Sequence, residues 1–234
     1  MHMPKPLIAI LLDENTSDGG SAYAIGKRYF EAVQRVGGRA IGLPFDPELV
    51  DWAIANCDGL LCPGGRFAFL PEHYAYGLTP RSPKSDRLQT EMMLIDAFLR
   101  EDKPVLGICS GMQLLGCLHG AKMTPDLLET EKVSTPHDEA GRRHNVAVEV
   151  NSRLFEILEL SEFQVNTYHS EALVSVGEGT TISARSDDDL IEAIELPDKR
   201  FAIGVQWHPE RDDLPQDPSS KLFKAFVDAC RGAN

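Results

Sequence analysis

Apolar residues fall along this chain in two rhythms. In the first half, short unbroken apolar runs alternate with longer amphipathic stretches. Leu7–Leu12 is such a run, as expected for a strand buried on both faces. Tyr23, Gly26, Tyr29, Phe30, Val33 and Val36 then recur at helical spacing, and Gly37-Gly38 ends that helix. Ala40–Leu43 reads as a second strand and Pro47–Ala55 as a short helix. Gly59–Cys62 reads as a third strand, stopping at Pro63-Gly64-Gly65. Leu88, Met92, Ile95 and Leu99 share one helix face; Pro104 follows, and Pro104–Ile108 makes a fourth strand. A helix rich in Met, Gln and Leu starts at Cys109. This βαβα alternation predicts an α/β fold with a mostly parallel central sheet and helices on both faces.

The second half changes rhythm. Val146–Val150, Leu173–Val176, Thr181–Ala184, Leu190–Leu196 and Phe201–Gln206 are strand-like runs at close spacing. They predict antiparallel or mixed additions to the same sheet, closed by a last helix over Ser219–Ala229. The stretch from Arg66 to Ser85 is rich in Pro, Arg and Tyr and has no clear period. A loop that long in a compact domain is more often functional than a linker, so a substrate lid is one reading of it. Arg66, Arg81 and Arg87 are expected as solvated surface charges, with a substrate carboxylate as the alternative partner.

Composition narrows the picture. The 234 residues suit one well-buried domain, 1–234, and 42% hydrophobic with 25% charged residues is ordinary for a globular protein. A net charge of -13 argues against nucleic acid and against anionic lipid as partners. Leu7–Leu12 is too short for a signal-peptide core, and no segment reaches membrane-spanning length. Five cysteines (Cys57, Cys62, Cys109, Cys117, Cys230) form no CxxC pair and no metal spacing, so no metal site is expected. Their odd number points to reduced thiols in a cytoplasm.

Three motifs carry chemistry. Gly107-Ile108-Cys109-Ser110-Gly111-Met112-Gln113 sits at a predicted strand-to-helix junction. A sharp turn there lifts Cys109 off the sheet, and the helix N-terminus favours its thiolate. Gly204-Val205-Gln206-Trp207-His208-Pro209-Glu210 ends an apolar strand with a His and, two residues on, a Glu. Residues i and i+2 of an extended chain point the same way, so Glu210 is placed to orient His208, which in turn faces the thiol. Cys62-Pro63-Gly64-Gly65 follows a strand; it is a plain turn, or it presents a backbone N–H to a carbonyl oxygen together with Ser110.

These three motifs, in this order, resemble the class I glutamine amidotransferase superfamily, whose domain is flavodoxin-like. Its fixed elements stand here as Gly64-Gly65, Gly107/Cys109/Gly111/Gln113 and His208/Pro209/Glu210. Val165-Asn166-Thr167-Tyr168-His169-Ser170 and Leu190–Glu195 look like one branch, the stand-alone γ-glutamyl-γ-aminobutyrate hydrolases. Two departures stand out. Arg66-Phe67-Ala68-Phe69-Leu70-Pro71 replaces an Asp, Val and Pro pattern, and Ser110 stands where Arg is common.

The resemblance implies a cysteine hydrolase of γ-glutamyl amides that works through a thioester, with no metal or organic cofactor. Cys109, His208 and Glu210 would be catalytic, and Gly65 and Ser110 the oxyanion donors beside Gly64. Gln113 and the backbone near Tyr168, His169 and Ser170 would hold the γ-glutamyl group, with His169 in a supporting role. One rival is a glutaminase subunit feeding ammonia to a separate synthetase, although this chain has no phosphate-binding G-x-x-x-x-G-K-[ST]. Others are a non-catalytic binder on the same fold and a redox sensor. Cys109 and Cys117 lie about 12 Å apart along one helix, too far for a disulfide. A homodimer is the default expectation for such an enzyme.

Overall fold

The protein is described from a computed structural model, over residues 4–15, 19–130, 133, 136–139, 141–212 and 217–232. In chain order its elements are β1 (Leu7–Leu11), β2 (Asp13–Glu14), β3 (Tyr23–Ala24), α1 (Lys27–Arg35), β4 (Arg39–Leu43), α2 (Leu49–Asn56), β5 (Gly59–Cys62), α3 (Arg87–Arg100) and β6 (Val105–Ile108). Next come α4 (Ser110–Leu118), β7 (Lys122–Thr124), α5 (Leu127–Thr130), β8 (Arg143–Val148), α6 (Arg153–Leu158), β9 (Glu162–Asn166) and β10 (Ala172–Ser175). The last are β11 (Thr181–Ser186), β12 (Ile191–Glu195), β13 (Ala202–Val205) and α7 (Pro218–Arg231).

One nine-stranded sheet runs β4-β1-β5-β6-β13-β12-β11-β8-β9. The strands from β4 to β13 pair in parallel, and those from β13 to β9 pair antiparallel. The α/β sheet and its antiparallel extension are therefore as the apolar rhythms predict. Why the strands are apolar throughout is plain in β1. Ala9 and Leu11 enter the core on one face, with α2, α3 and α4. Ile8 and Ile10 enter the core on the other, with α1 and α7. Strands covered on both faces need no polar side.

Three expectations are corrected. The helical spacing that seems to begin at Tyr23 is split, because Gly26 is extended (φ -62°, ψ 129°) and α1 begins at Lys27. Tyr23 instead pairs with Glu14 in a small hairpin and packs edge-on against Phe45. The Leu173 run does not join the main sheet. It pairs with β7, Leu173 opposite Met123, because the chain leaves β9 at Thr167 and crosses toward α4. Arg87 is no surface charge: it is fully buried and ion-paired to Glu91 and Asp13.

The stretch from Arg66 to Ser85 is packed down. Phe67, Phe69 and Tyr74 lie in the core beside α3 and α4, and Tyr74 Oη accepts the Phe69 N–H at 3.1 Å. Arg81 is held at the surface by Asp126 and Glu129. No helix among the described residues is long and apolar enough to cross a membrane.

Candidate active site

β6 delivers Cys109 to the C-terminal end of the parallel strands, the position where open α/β sheets leave a crevice. The turn into α4 is made by Cys109 itself, at φ 52° and ψ -109°. A non-glycine residue in such a region costs about 1–3 kcal/mol. The residue is pinned by its N–H, which donates to Val205 O at 2.8 Å. The flanking glycines make room for close packing. A Cβ at Gly107 would lie 2.7 Å from the Gly111 backbone, and one at Gly111 would overlap the Cys62 carbonyl. They let α4 sit directly on β5 and β6.

His208 follows β13. Its N–H donates to Asn166 Oδ1 at 3.0 Å, and its carbonyl accepts from Asn166 Nδ2 at 2.8 Å. Its Nδ1 lies 2.8 Å from Glu210 Oε1, so the carboxylate fixes a proton on that nitrogen. The pairing arises otherwise than expected: Pro209–Arg211 is a single 3-10 turn, not extended chain, and that turn brings Glu210 back under the ring. Burial alone would lower the His208 pKa. Hydrogen bonds to the Cys109 sulfur and to Glu210 outweigh it and raise the value to about 10.

The Gly64-Gly65 turn closes over this pair. A Cβ at Gly64 would lie 2.6 Å from the His208 ring and 3.4 Å from Cys109 Cβ. The N–H of Gly64 is already used, donating to Tyr29 Oη at 3.1 Å. Among the described residues, the N–H groups of Gly65 and Ser110 meet no acceptor within the fold. Below the turn, Arg87 donates to the carbonyls of Pro63 (2.5 Å) and Gly64 (3.1 Å). Its charge is balanced by Glu91 at 2.8 Å.

These elements enclose a cavity of about 430 Å³ lined by Cys109, His208, Gly64, Gly65, Gln113, Tyr168, His169 and Ser170. Ser110 and Glu210 stand just behind its wall. The Ser110 hydroxyl donates to Pro63 O at 3.3 Å. Gln113 spends both amide hydrogens inside the fold, on Glu171 O (2.9 Å) and Gln206 Oε1 (3.1 Å). Tyr168 stands edge-on to the His208 ring, with the Arg211 guanidinium over its other side at 4.2 Å. His169 turns its Nδ1 to Glu171 O at 3.2 Å.

Several site residues escape a reading of motifs. Gln206 and Asn166 lie inside quoted motifs, yet only the fold shows Gln206 Nε2 at 3.6 Å from Cys109 Sγ and Asn166 clamping His208. Tyr29 carries no local signal at all. Asp13, Glu14, Asp138 and Glu171 make the far wall acidic, facing Arg66 and Arg211. Arg66 donates to Asp138 at 2.5 Å. Burial pushes the Glu171 carboxyl up to about 7, against the Ser82 hydroxyl and Arg66, which lower it. The other four cysteines are buried and free, and none of them lines this cavity. Burial pushes Cys57 up to about 11 and Cys117 up to about 12, and it raises Cys62 and Cys230 as well.

Residues 6–210 match the Peptidase C26 family. The chain belongs to that family. Among its relatives is the γ-glutamyl-γ-aminobutyrate hydrolase of Escherichia coli O157:H7, 32% identical over 98% of this chain and 95% of that one. Protein NtpR of Enterococcus hirae is 31% identical over 91% of this chain and 92% of that one. A solved structure from Thermoplasma acidophilum, described as one of the subunits of GMP synthase, shares the fold. Its TM-score is 0.69 at 19% identity, covering 99% of this chain and 96% of that one. This Peptidase C26 chain is thus an enzyme of the glutamine amidotransferase-like hydrolase kind.

Proposed function

We propose that the protein hydrolyses γ-glutamyl amides on its own, releasing glutamate and an amine through a thioester on Cys109. The observation that carries this reading is the line Cys109–His208–Glu210 at one wall of a single cavity, with the unspent N–H groups of Gly65 and Ser110 beside the sulfur. Likeness to a hydrolase named for γ-glutamyl-γ-aminobutyrate supports the substrate class.

The chemistry follows from the charge state. With His208 raised to about 10, an imidazolium stands beside the Cys109 sulfur at neutral pH, and a neighbouring cation favours attack through the thiolate form. The thiolate attacks the γ-carbonyl carbon, and the oxyanion forms against the two N–H groups. His208 gives its proton to the leaving nitrogen, the C–N bond breaks and the amine departs. A water then loses a proton to His208 and attacks the thioester, and glutamate leaves with the thiolate restored. Gln113, with its amide hydrogens committed, has only its oxygen to offer the substrate's ammonium. Arg66 stands at the mouth, where the leaving group exits, in place of the pattern common in the γ-glutamyl-γ-aminobutyrate branch.

The test is glutamate release by the purified chain from a panel of γ-glutamyl amides that includes glutamine and γ-glutamyl-γ-aminobutyrate. Release from one amide, lost in Cys109→Ala, is the expected result and names the leaving group. No release from any member, while Cys109 still alkylates, overturns the stand-alone reading in favour of a chain that needs a synthetase partner.

A further inference from the structure

Beside the catalytic cavity lies a second cluster that the proposed chemistry does not use. His137, His144 and Glu192 each offer a ligand atom, and these atoms lie within 4.8 Å of one another. His169 lies beside that trio, its Nε2 3.5 Å from Glu192 Oε1. The four come from four separate places: the segment 136–139, β8, the turn after β9, and β12. That dispersal hides them from any search for metal spacing in the sequence.

The cluster is buried and unsatisfied. His137 and His169 are 3% exposed and Glu192 is fully buried. Among the described residues, both ring nitrogens of His137 and of His144, the Nε2 of His169 and both oxygens of Glu192 find no aligned hydrogen-bond partner. The Nε2 atoms of His144 and His169 approach Glu192 Oε1 to 3.2 and 3.5 Å, close enough to interact but not aligned. Leaving so many buried polar atoms unpaired costs about 1–3 kcal/mol each. Natural folds answer such a cost with water, protons or an ion.

We propose that His137, His144 and Glu192 hold one divalent cation of the zinc class, with His169 beside Glu192 as the nearest further donor. Two imidazoles and one carboxylate supply three positions of a tetrahedral ion, and the fourth is open to water or to a shift of the neighbouring His169. Nitrogen donors exclude magnesium and calcium, which prefer oxygen cages. The tautomers fit. The Glu171 carbonyl can only accept, so His169 keeps its proton on Nδ1 and leaves the Nε2 lone pair facing Glu192. A further carboxylate, Asp188, lies 3.6 Å from His137 Nε2 and adds negative charge to balance the ion.

The place of the ion gives it work to do. The His137 carbonyl already accepts from the His169 N–H at 2.9 Å and from Thr167 Oγ1 at 2.5 Å. The ion would tie the same segment to β8 and β12. Asp138, next along, is the residue that holds Arg66 at the cavity mouth.

The experiment uses the full chain carrying Cys109→Ala, so that the reactive thiol cannot itself take the metal. The protein is stripped with a chelator, then titrated with zinc by calorimetry and with cobalt by visible absorption. The expected result is one equivalent of zinc, the intense visible bands of tetrahedral cobalt, and a higher melting temperature when loaded. Glu192→Gln and His144→Gln should each weaken uptake at least tenfold. Because Glu192 is fully buried and its variant risks misfolding, His144→Gln, with far-ultraviolet dichroism as the check of folding, decides the matter. No stoichiometric uptake by the folded chain, or uptake unchanged in His144→Gln, overturns the proposal and leaves the cluster a network of protons and water.

Discussion

His208 keeps its proton to about pH 10 only because Cys109 and Glu210 together outweigh the burial that would strip it. The raised value places the sign of the pH dependence. Imidazolium is present below about 10 and is lost above it, so glutamate release should fall on the alkaline side near that pH. Glu210→Gln removes one of the two supports. Its alkaline limb should move to lower pH and its kcat should drop by about 100-fold or more, as read from pH–rate profiles. Tyr29→Phe leaves the Gly64 N–H buried without its acceptor. We expect a loss of about 1–3 kcal/mol in denaturant unfolding and a loosened oxyanion turn, seen as a lower kcat with little change in KM. At this scale the sequence was partly legible. Cys109 and His208 announce themselves because each follows an apolar strand, where a polar side chain has no packing reason to be, and Glu210 comes with His208 two residues on. Tyr29 does not, because its task is set by a turn 35 residues away.

At the level of elements, the joint between β5, β6 and α4 fixes Cys109 in place. Gly111 touches the Cys62 carbonyl so closely that any side chain must push α4 off the sheet. Gly111→Ala should therefore cost about 3 kcal/mol or more and lower the alkylation rate of Cys109 in the fraction that folds. The brace beneath the Gly64-Gly65 turn is equally exposed to change. Arg87→Met strands Glu91 as a lone buried charge, and a loss of about 3–5 kcal/mol in urea unfolding is expected. Adding Glu91→Gln to that variant should recover part of it, which a double-mutant cycle measures. The apolar rhythm placed most strands and helices but misplaced α1 and β10. Tyr23 happens to fall in phase with the helix that follows Gly26, and period alone cannot tell a packed hairpin from a helical turn. For Leu173 the rhythm shows a strand but not its partner, since β7 offers only three residues.

For the whole molecule, stability and charge are linked through the cavity wall. The Glu171 carboxyl is raised from 4.5 to about 7, so the fold prefers its protonated form. That contribution is full below about pH 4.5 and is lost as pH climbs through about 7. Glu171→Gln should lose this dependence, melting above the parent at pH 8 and level with it near pH 4.5, a difference of about 3 kcal/mol. The overall architecture was legible because both faces of the parallel strands are covered, which writes unbroken apolar runs into the sequence. The cavity walls were not, because they are assembled from turns whose residues meet only when the sheet has formed. The backbone of Cys109 carries the last consequence. At φ 52° and ψ -109° this cysteine occupies a conformation that glycine would adopt without strain. Cys109→Gly should melt at or above the parent while releasing no glutamate. Folding and reaction thus pull this one position in opposite directions, and a silent, sturdier descendant lies a single substitution away.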